Sequence, residues 1–447
     1  MNITRRWLLA LAAAFALASC AGAPALEEYP PIVFVHGNGD TAGLWQTTLW
    51  RFESNGWPRE RLYAIDVPLP LARDDDTKPQ AGRSSAAENA ALLKSEVEKV
   101  LHATGAKQVV LVGNSRGGNA IRNYIYNDGG EPYVSHAILG GTPNHGVWAV
   151  HIDGFSDNSE FYGQGPNLTA LNKPKNANGD EVTGPVKWMT IRSDRNDKFA
   201  QPDGLWIGKR GVATGVTYEG PELRGATNVM IPRIDHRETA YSEPAFAAMY
   251  RFITGHAPAH PDVVPEGEVM LSGKVSGAGT NIGLAGAHLR IFAIDPSTGE
   301  RRGDAVYTRT IAADGAWGPF AAAHDARYEF EIAADGYATT HIYRSPFPRS
   351  SNYITMRPER VSAADRNAPS LVLMSRPRGY LDPSRDKMAF DGQSPPPGAV
   401  PGAGVAVSRL KPEGLPRAIV AEFNGERVVG RTWRLNENNV SVLELTY

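Results

Sequence analysis

The chain has 447 residues, a length that sets an expectation of about two to three domains. Apolar residues at 42% and charged residues at 21% match a packed globular protein rather than a disordered one. Lys+Arg at 46 against Asp+Glu at 48 exclude a strongly basic nucleic-acid footprint and an acidic tail, and a single cysteine excludes an intramolecular disulfide and a Cys-based zinc site.

The N-terminus carries Arg5 and Arg6, then an apolar run to Ala18, then small residues. The run is too short to span the roughly 30 Å of a bilayer's hydrocarbon core, so residues 1–19 read as an export signal. Leu17-Ala18-Ser19-Cys20 resembles the lipobox of bacterial lipoproteins, which implies lipidation of Cys20 and anchoring to a membrane. The expected location is therefore the cell envelope, with secretion as the alternative; Arg5-Arg6 also resembles a twin-arginine signal. Residues 20–30 form an Ala/Pro/Glu tether.

From 31 to 257 apolar runs alternate with helical patterns. Ile32–Val35 predicts a buried strand ending at the turn His36-Gly37-Asn38-Gly39, and Leu44 to Asn55 has helical spacing. Ser85 and Glu88 form a capping-box pattern ahead of an amphipathic helix reaching about His102. Val109–Val112 predicts a second buried strand, 117–126 a helix, and 137–139, 186–191 and 228–232 further strands. Such alternation predicts a mostly parallel sheet covered by helices. Residues 142–185 read as a lid-like insertion without a clear period; its Trp148, Phe155, Phe161, Tyr162 and Leu168 either line an acyl pocket or anchor the loop. After the Pro-rich linker at 256–262 the texture changes to short alternating runs separated by Asp-Gly and Pro-Ser-Thr-Gly turns, predicting an all-β unit over 265–447, antiparallel, as a sandwich or barrel.

The strongest chemical signal is Gly113-Asn114-Ser115-Arg116-Gly117, set between an apolar strand and a helix. This is the context in which a G-x-S-x-G turn thrusts a serine hydroxyl above a sheet edge, with Gly113 and Gly117 leaving room for the bend. A serine needs a base, and His236 follows a predicted strand on a late loop ahead of the last helix. The base needs an orienting carboxylate, expected on the loop 194–203: Asp197 is the choice, Asp194 the runner-up and Asp203 a more distant third. Two backbone N–H groups, of Asn38 and Arg116, are the expected oxyanion donors. His36, at a strand end, is given a structural role, and Arg73-Asp74-Asp75-Asp76 reads as a solvated loop rather than a metal site.

Through Val35-His36-Gly37 and Gly113–Gly117 the chain resembles the α/β-hydrolase lipases and esterases. Residues 226–236, Ser242-Glu243-Pro244, 252–255, 262–265, 291–295, 328–330 and 343–347 extend the likeness to two-domain archaeal-type lipases with a C-terminal β-barrel domain. The resemblance implies cleavage of acyl esters, with the β domain taking part in substrate handling. Two departures stand out: Asn114 occupies the elbow position where lipases usually have His, and Ile138-Leu139-Gly140-Gly141 offers no carboxylate, which leaves the acid to the loop 194–203. The expected activity is hydrolysis of carboxylic esters by a serine hydrolase, with no metal or cofactor and an apolar substrate, lipid or polyester. The rival readings are a polyester depolymerase, thioesterase or acyltransferase on the same triad, and a cell-surface binding protein with a degenerate hydrolase domain.

Overall fold

Ile32–Val35 is a strand with every side chain buried, because it lies inside a sheet covered on both faces. In the computed structural model, which describes residues 29–150, 156–194, 196–203, 209–401, 405–414 and 416–447, this strand (β1) is second in a six-stranded sheet. The others are β2 (Leu62–Ile65), β3 (Val109–Asn114), β4 (Val134–Gly140), β5 (Lys187–Ser193) and β6 (Thr227–Ile231), in spatial order β2-β1-β3-β4-β5-β6. All five pairings are parallel. The signal segment, Cys20, nearly all of the tether and Phe155 lie outside the described residues.

Side chains of a strand alternate between faces, and β1 shows it directly. Ile32 and Phe34 join Trp45, Phe52 and Phe246 in one core, while Val33 and Val35 join Leu93, Val97 and Ile121 in another. The helices that cover these faces are α1 (Gln46–Ser54), α2 (Ala86–Thr104), α3 (Arg116–Asn127) and α6 (Glu243–Thr254); the short α4 (Pro166–Leu171) and α5 (Glu238–Tyr241) lie in loops. The capping box of α2 is present in full: Ser85 Oγ accepts from Glu88 N–H, and the Glu88 carboxylate accepts from Ser85 N–H. Ser242 caps α6 and Gly255, left-handed at φ 83°, ends it.

The C-terminal region is all β. A seven-stranded sheet runs in space Tyr307–Thr310, His288–Ala293, Tyr328–Ala333, Thr339–Arg344, Asn439–Glu444, Val372–Ser375, Val407–Leu410. On one face a three-stranded sheet, Ala316–Ala322, Val269–Val275 and Ser351–Met356, buries Trp317, Leu271 and Ile354 against Leu289, Phe330 and Ile342. On the other, Met388–Phe390, Ala418–Phe423 and Glu426–Arg431 bury Ile419, Phe423 and Val428 against Tyr343, Met374 and Leu443. The result is three stacked layers rather than one sandwich or a barrel. Most pairings are antiparallel, but Asn439–Glu444 lies parallel to both neighbours and Val269–Val275 parallel to Ser351–Met356.

The two regions interlock. Trp50 of α1 packs in the core of the β region and its indole N–H donates to Ser350 O at 2.8 Å. The Asn281 amide donates to Asp40 O and Val67 O, both at 2.9 Å, bracing the turn after β1. Among the described residues no helix is long and apolar enough to cross a membrane.

Candidate active site

Strands β1 and β3 end side by side, Val35 opposite Gly113, so the turns that follow them meet at the carboxyl edge of the sheet. Ser115 sits at the turn with φ 54° and ψ −124°, a conformation that L residues rarely adopt and that a tightly packed surround must enforce. A Cβ at Gly113 would stand 2.7 Å from the backbone of Gly117 and Gly118, and one at Gly117 would strike the carbonyls of Val35 and His36. The bend therefore depends on both glycines. A third, Gly118, passes so close to Thr142 that a side chain there would collide with it.

Asn114 explains its own departure from the lipase pattern. Its amide nitrogen faces Thr239 Oγ1 at 3.0 Å, His236 O at 3.1 Å and Gly140 O at 3.3 Å, so it ties the serine's turn to the backbone of the histidine loop. Arg116, the first residue of α3, presents an N–H that helix geometry leaves without an intrahelical partner. Its guanidinium is buried, paired with Glu160 at 2.5 and 3.0 Å, and donates to Ser84 O and Pro70 O. The insertion is thereby fastened to the helix that follows the serine.

On the other side, His236 Nδ1 lies 2.9 Å from Asp197 Oδ2, and both residues are buried. The second oxygen of Asp197 accepts from Phe199 N–H at 2.9 Å, and the Phe199 ring packs on the imidazole with centroids 4.4 Å apart. The structure brings Asp197, not Asp194, to the imidazole. Asp194 instead accepts from Arg233 N–H at 2.9 Å and from Asn196 N–H, joining the ends of β5 and β6. His36 donates from Nδ1 to Gly37 O and accepts from Val67 N–H at Nε2; burial lowers its pKa, and the ring acts as a brace within the fold.

Ser115, His236 and Asn38 all line one cavity of about 570 Å³. Asn38 is held by its own side chain, which accepts from Ala72 N–H at 2.7 Å. Val147, Trp148, Phe161 and Phe199 give the cavity an apolar wall. The insertion's apolar side chains thus divide: Trp148 and Phe161 face the cavity, whereas Leu168 is fully buried and serves as an anchor.

Two family models match stretches of this chain. Residues 29–149 match the family model "Lipase (class 2)" and residues 267–361 match "Lipase C-terminal domain". The chain carries the two domains of a lipase. These matches make the chain a carboxylic ester hydrolase. Among solved structures, a Bacillus licheniformis lipase in its propeptide form is 15% identical, with 91% of this chain and 92% of that one aligned at a TM-score of 0.38. The mature form of that enzyme is 20% identical over 51% of this chain and 93% of its own, at 0.36. A monoacylglycerol lipase of Paleococcus ferrophilus is 14% identical over 51% and 97%, at 0.33.

Several groups around the cavity carry no local sequence signal. Asp235 and Glu238 flank the histidine, and residues of the β region grip them: Arg376 reaches Asp235 at 3.1 Å and Glu238 at 2.5 Å, Tyr380 N–H donates to Asp235 at 2.7 Å, and Arg385 reaches Glu238 at 2.5 Å. Burial opposes the charge on Glu238, but the guanidiniums of Arg376 and Arg385 outweigh it and hold its carboxyl below the ordinary range. The bunching of Arg376, Arg378 and Arg385 is the one hint in the sequence. Among the described residues one group has metal-ligand geometry, Glu329, Glu331 and His341. Arg301 occupies it, 2.6 Å from Glu331 and bonded to Glu329, and Arg290 pairs with Glu331 as well, so two guanidiniums balance the two carboxylates.

Proposed function

We propose that this lipase cleaves esters through Ser115, His236 and Asp197 by way of an acyl-enzyme. His236 Nε2 takes the Ser115 proton as the hydroxyl attacks the ester carbonyl, and Asp197 holds the tautomer with hydrogen on Nδ1 and stabilises the imidazolium. The backbone N–H groups of Asn38 and Arg116 receive the oxyanion; each such donor contributes about 3 kcal/mol to the transition state. The alcohol leaves with the proton from His236, and water then attacks the acyl-serine by the same route. The observation that carries this reading is the 2.9 Å pairing of Asp197 with an imidazole that shares its cavity with a serine at φ 54°. A fluorophosphonate probe tests it: the wild-type chain should label and Ser115→Ala should not. Equal labelling of the two would overturn the assignment.

The apolar wall supports a substrate with a hydrocarbon portion. Export and lipidation at Cys20 belong to the same proposal, supported by the charged start, the apolar run and the Leu17–Cys20 pattern. Metabolic labelling with palmitate in a bacterial host should mark the wild-type chain and not Cys20→Ser; label retained in the variant would place the lipid elsewhere.

A further inference from the structure

The cavity also has a charged lining. Arg73, Arg83, Lys198 and Arg237 line it, with the carboxylates of Asp40 and Asp74. Nearly all of these have a partner of opposite sign: Asp74 with Arg83 at 3.2 Å, Asp40 with Arg237 at 3.5 Å, Arg73 with Glu88 at 2.7 Å. Lys198 is the exception, having no carboxylate at ion-pair distance among the described residues. Its ammonium lies over the Tyr380 ring, 4.4 Å from the centroid, and 5.1 Å from that of Phe199. The guanidinium of Arg237 lies 5.7 Å from the same Tyr380 ring. Burial lowers the Lys198 pKa and the like charge of Arg237 lowers it further, and the more distant carboxylates of Asp197 and Asp235 offset this only in part. Two cations on one ring at the edge of a substrate cavity are mutually repulsive, and ring faces offset only part of the desolvation of an ammonium. An anion placed between them would be held by both.

We propose that Lys198 and Arg237, spaced by Tyr380, form an anion-binding corner of the substrate cavity, so that the preferred ester joins a hydrocarbon chain on the Trp148 and Phe161 side to a phosphate or carboxylate at this corner. The inference rests on the ester-cleaving reading of the same cavity and names its substrate class. Lys198 is a specificity-determining residue here, and Tyr380 makes the β region part of the binding site.

Equilibrium binding separates this from catalysis. The full-length Ser115→Ala chain is titrated at low salt with three octanoyl esters: of glycerol, of glycerol phosphate, and of a hydroxycarboxylate. The expected result is about tenfold tighter binding of one or both anionic esters than of the glycerol ester. That preference should shrink with added salt, vanish in the Ser115→Ala, Lys198→Gln double variant and persist with Lys198→Arg. The phosphate and carboxylate arms identify which anion fits. Equal affinity for all three esters, or a preference that Lys198→Gln leaves intact, would overturn the proposal. The salt dependence in the Ser115→Ala chain decides the matter without the Lys198 variants. Anion preference in binding without hydrolysis of any ester by the wild-type chain would remove the triad reading and leave this one standing.

Discussion

The two halves of the candidate triad are held in different ways. Ser115 is placed by its immediate surroundings: a buried strand runs into it, two glycines leave room for the bend, and the backbone of β1 presses from one side. His236 is placed from afar. Its neighbours Asp235 and Glu238 are gripped by Arg376, Tyr380 and Arg385, more than a hundred residues onward and in the other region of the molecule. The serine's side is steric and local, while the histidine's side is ionic and spans the two regions. The C-terminal β region therefore contributes to the cavity in two ways, through the wall residue Tyr380 and through the clamp on the histidine loop.

The sharpest test of the histidine side concerns its carboxylate. Asp197→Asn removes the charge that stabilises the imidazolium and permits the wrong tautomer, so kcat on a p-nitrophenyl ester should fall about 10³- to 10⁴-fold. Asp194 joins β5 to β6 and does not touch the ring, so Asp194→Asn should lower kcat by less than about tenfold. Steady-state kinetics on the two variants checks the ranking, and the reverse order would move the acid to Asp194.

Both the legible and the illegible parts of the molecule follow the same division. Local sequence announces β1, β3, the Ser85–Glu88 cap and the strand-turn-helix setting of Ser115, because each is decided by burial and sterics within a few residues. The strand Leu62–Ile65 is apolar throughout but only four residues long, too short for its pattern to tell a strand from a turn of helix. Thr339–Arg344, with Ile342 and Tyr343 side by side, shows no clean alternation, and even alternation gives a face and not a partner. Its parallel neighbour Asn439–Glu444 lies at the far end of the chain, and that pairing, with the third layer, was invisible. The same holds for Glu160 and Arg376, whose charges read as surface residues until a distant partner buries them.

Removing the clamp should show whether it places the histidine or only joins the two regions. Arg376→Met leaves Asp235 and Glu238 buried with Arg385 as their main remaining cation. Breaking a buried ion pair from one side costs about 3–5 kcal/mol, which urea unfolding would detect. If the clamp positions His236, kcat of the folded variant falls about tenfold or more while KM for a neutral ester changes little. A loss of stability with kcat intact would mean that the clamp fastens the β region and nothing else.

The smallest expected effect tests the division itself. Arg376 and Glu238 share a hydrogen bond, so the double-mutant cycle of Arg376→Met with Glu238→Gln should give a coupling of about 1–3 kcal/mol in stability. Arg376 and Glu160 serve different halves and share no recorded partner: Glu160 answers to Arg116, Arg376 to Asp235, Glu238 and Tyr241. Their cycle should be additive to within about 0.5 kcal/mol. A direct path by which the halves can feel each other is the Asn114 amide between the serine's turn and His236 O. A coupling well above that limit would show the path to be stiff, and serine and histidine would then be held as one unit rather than two.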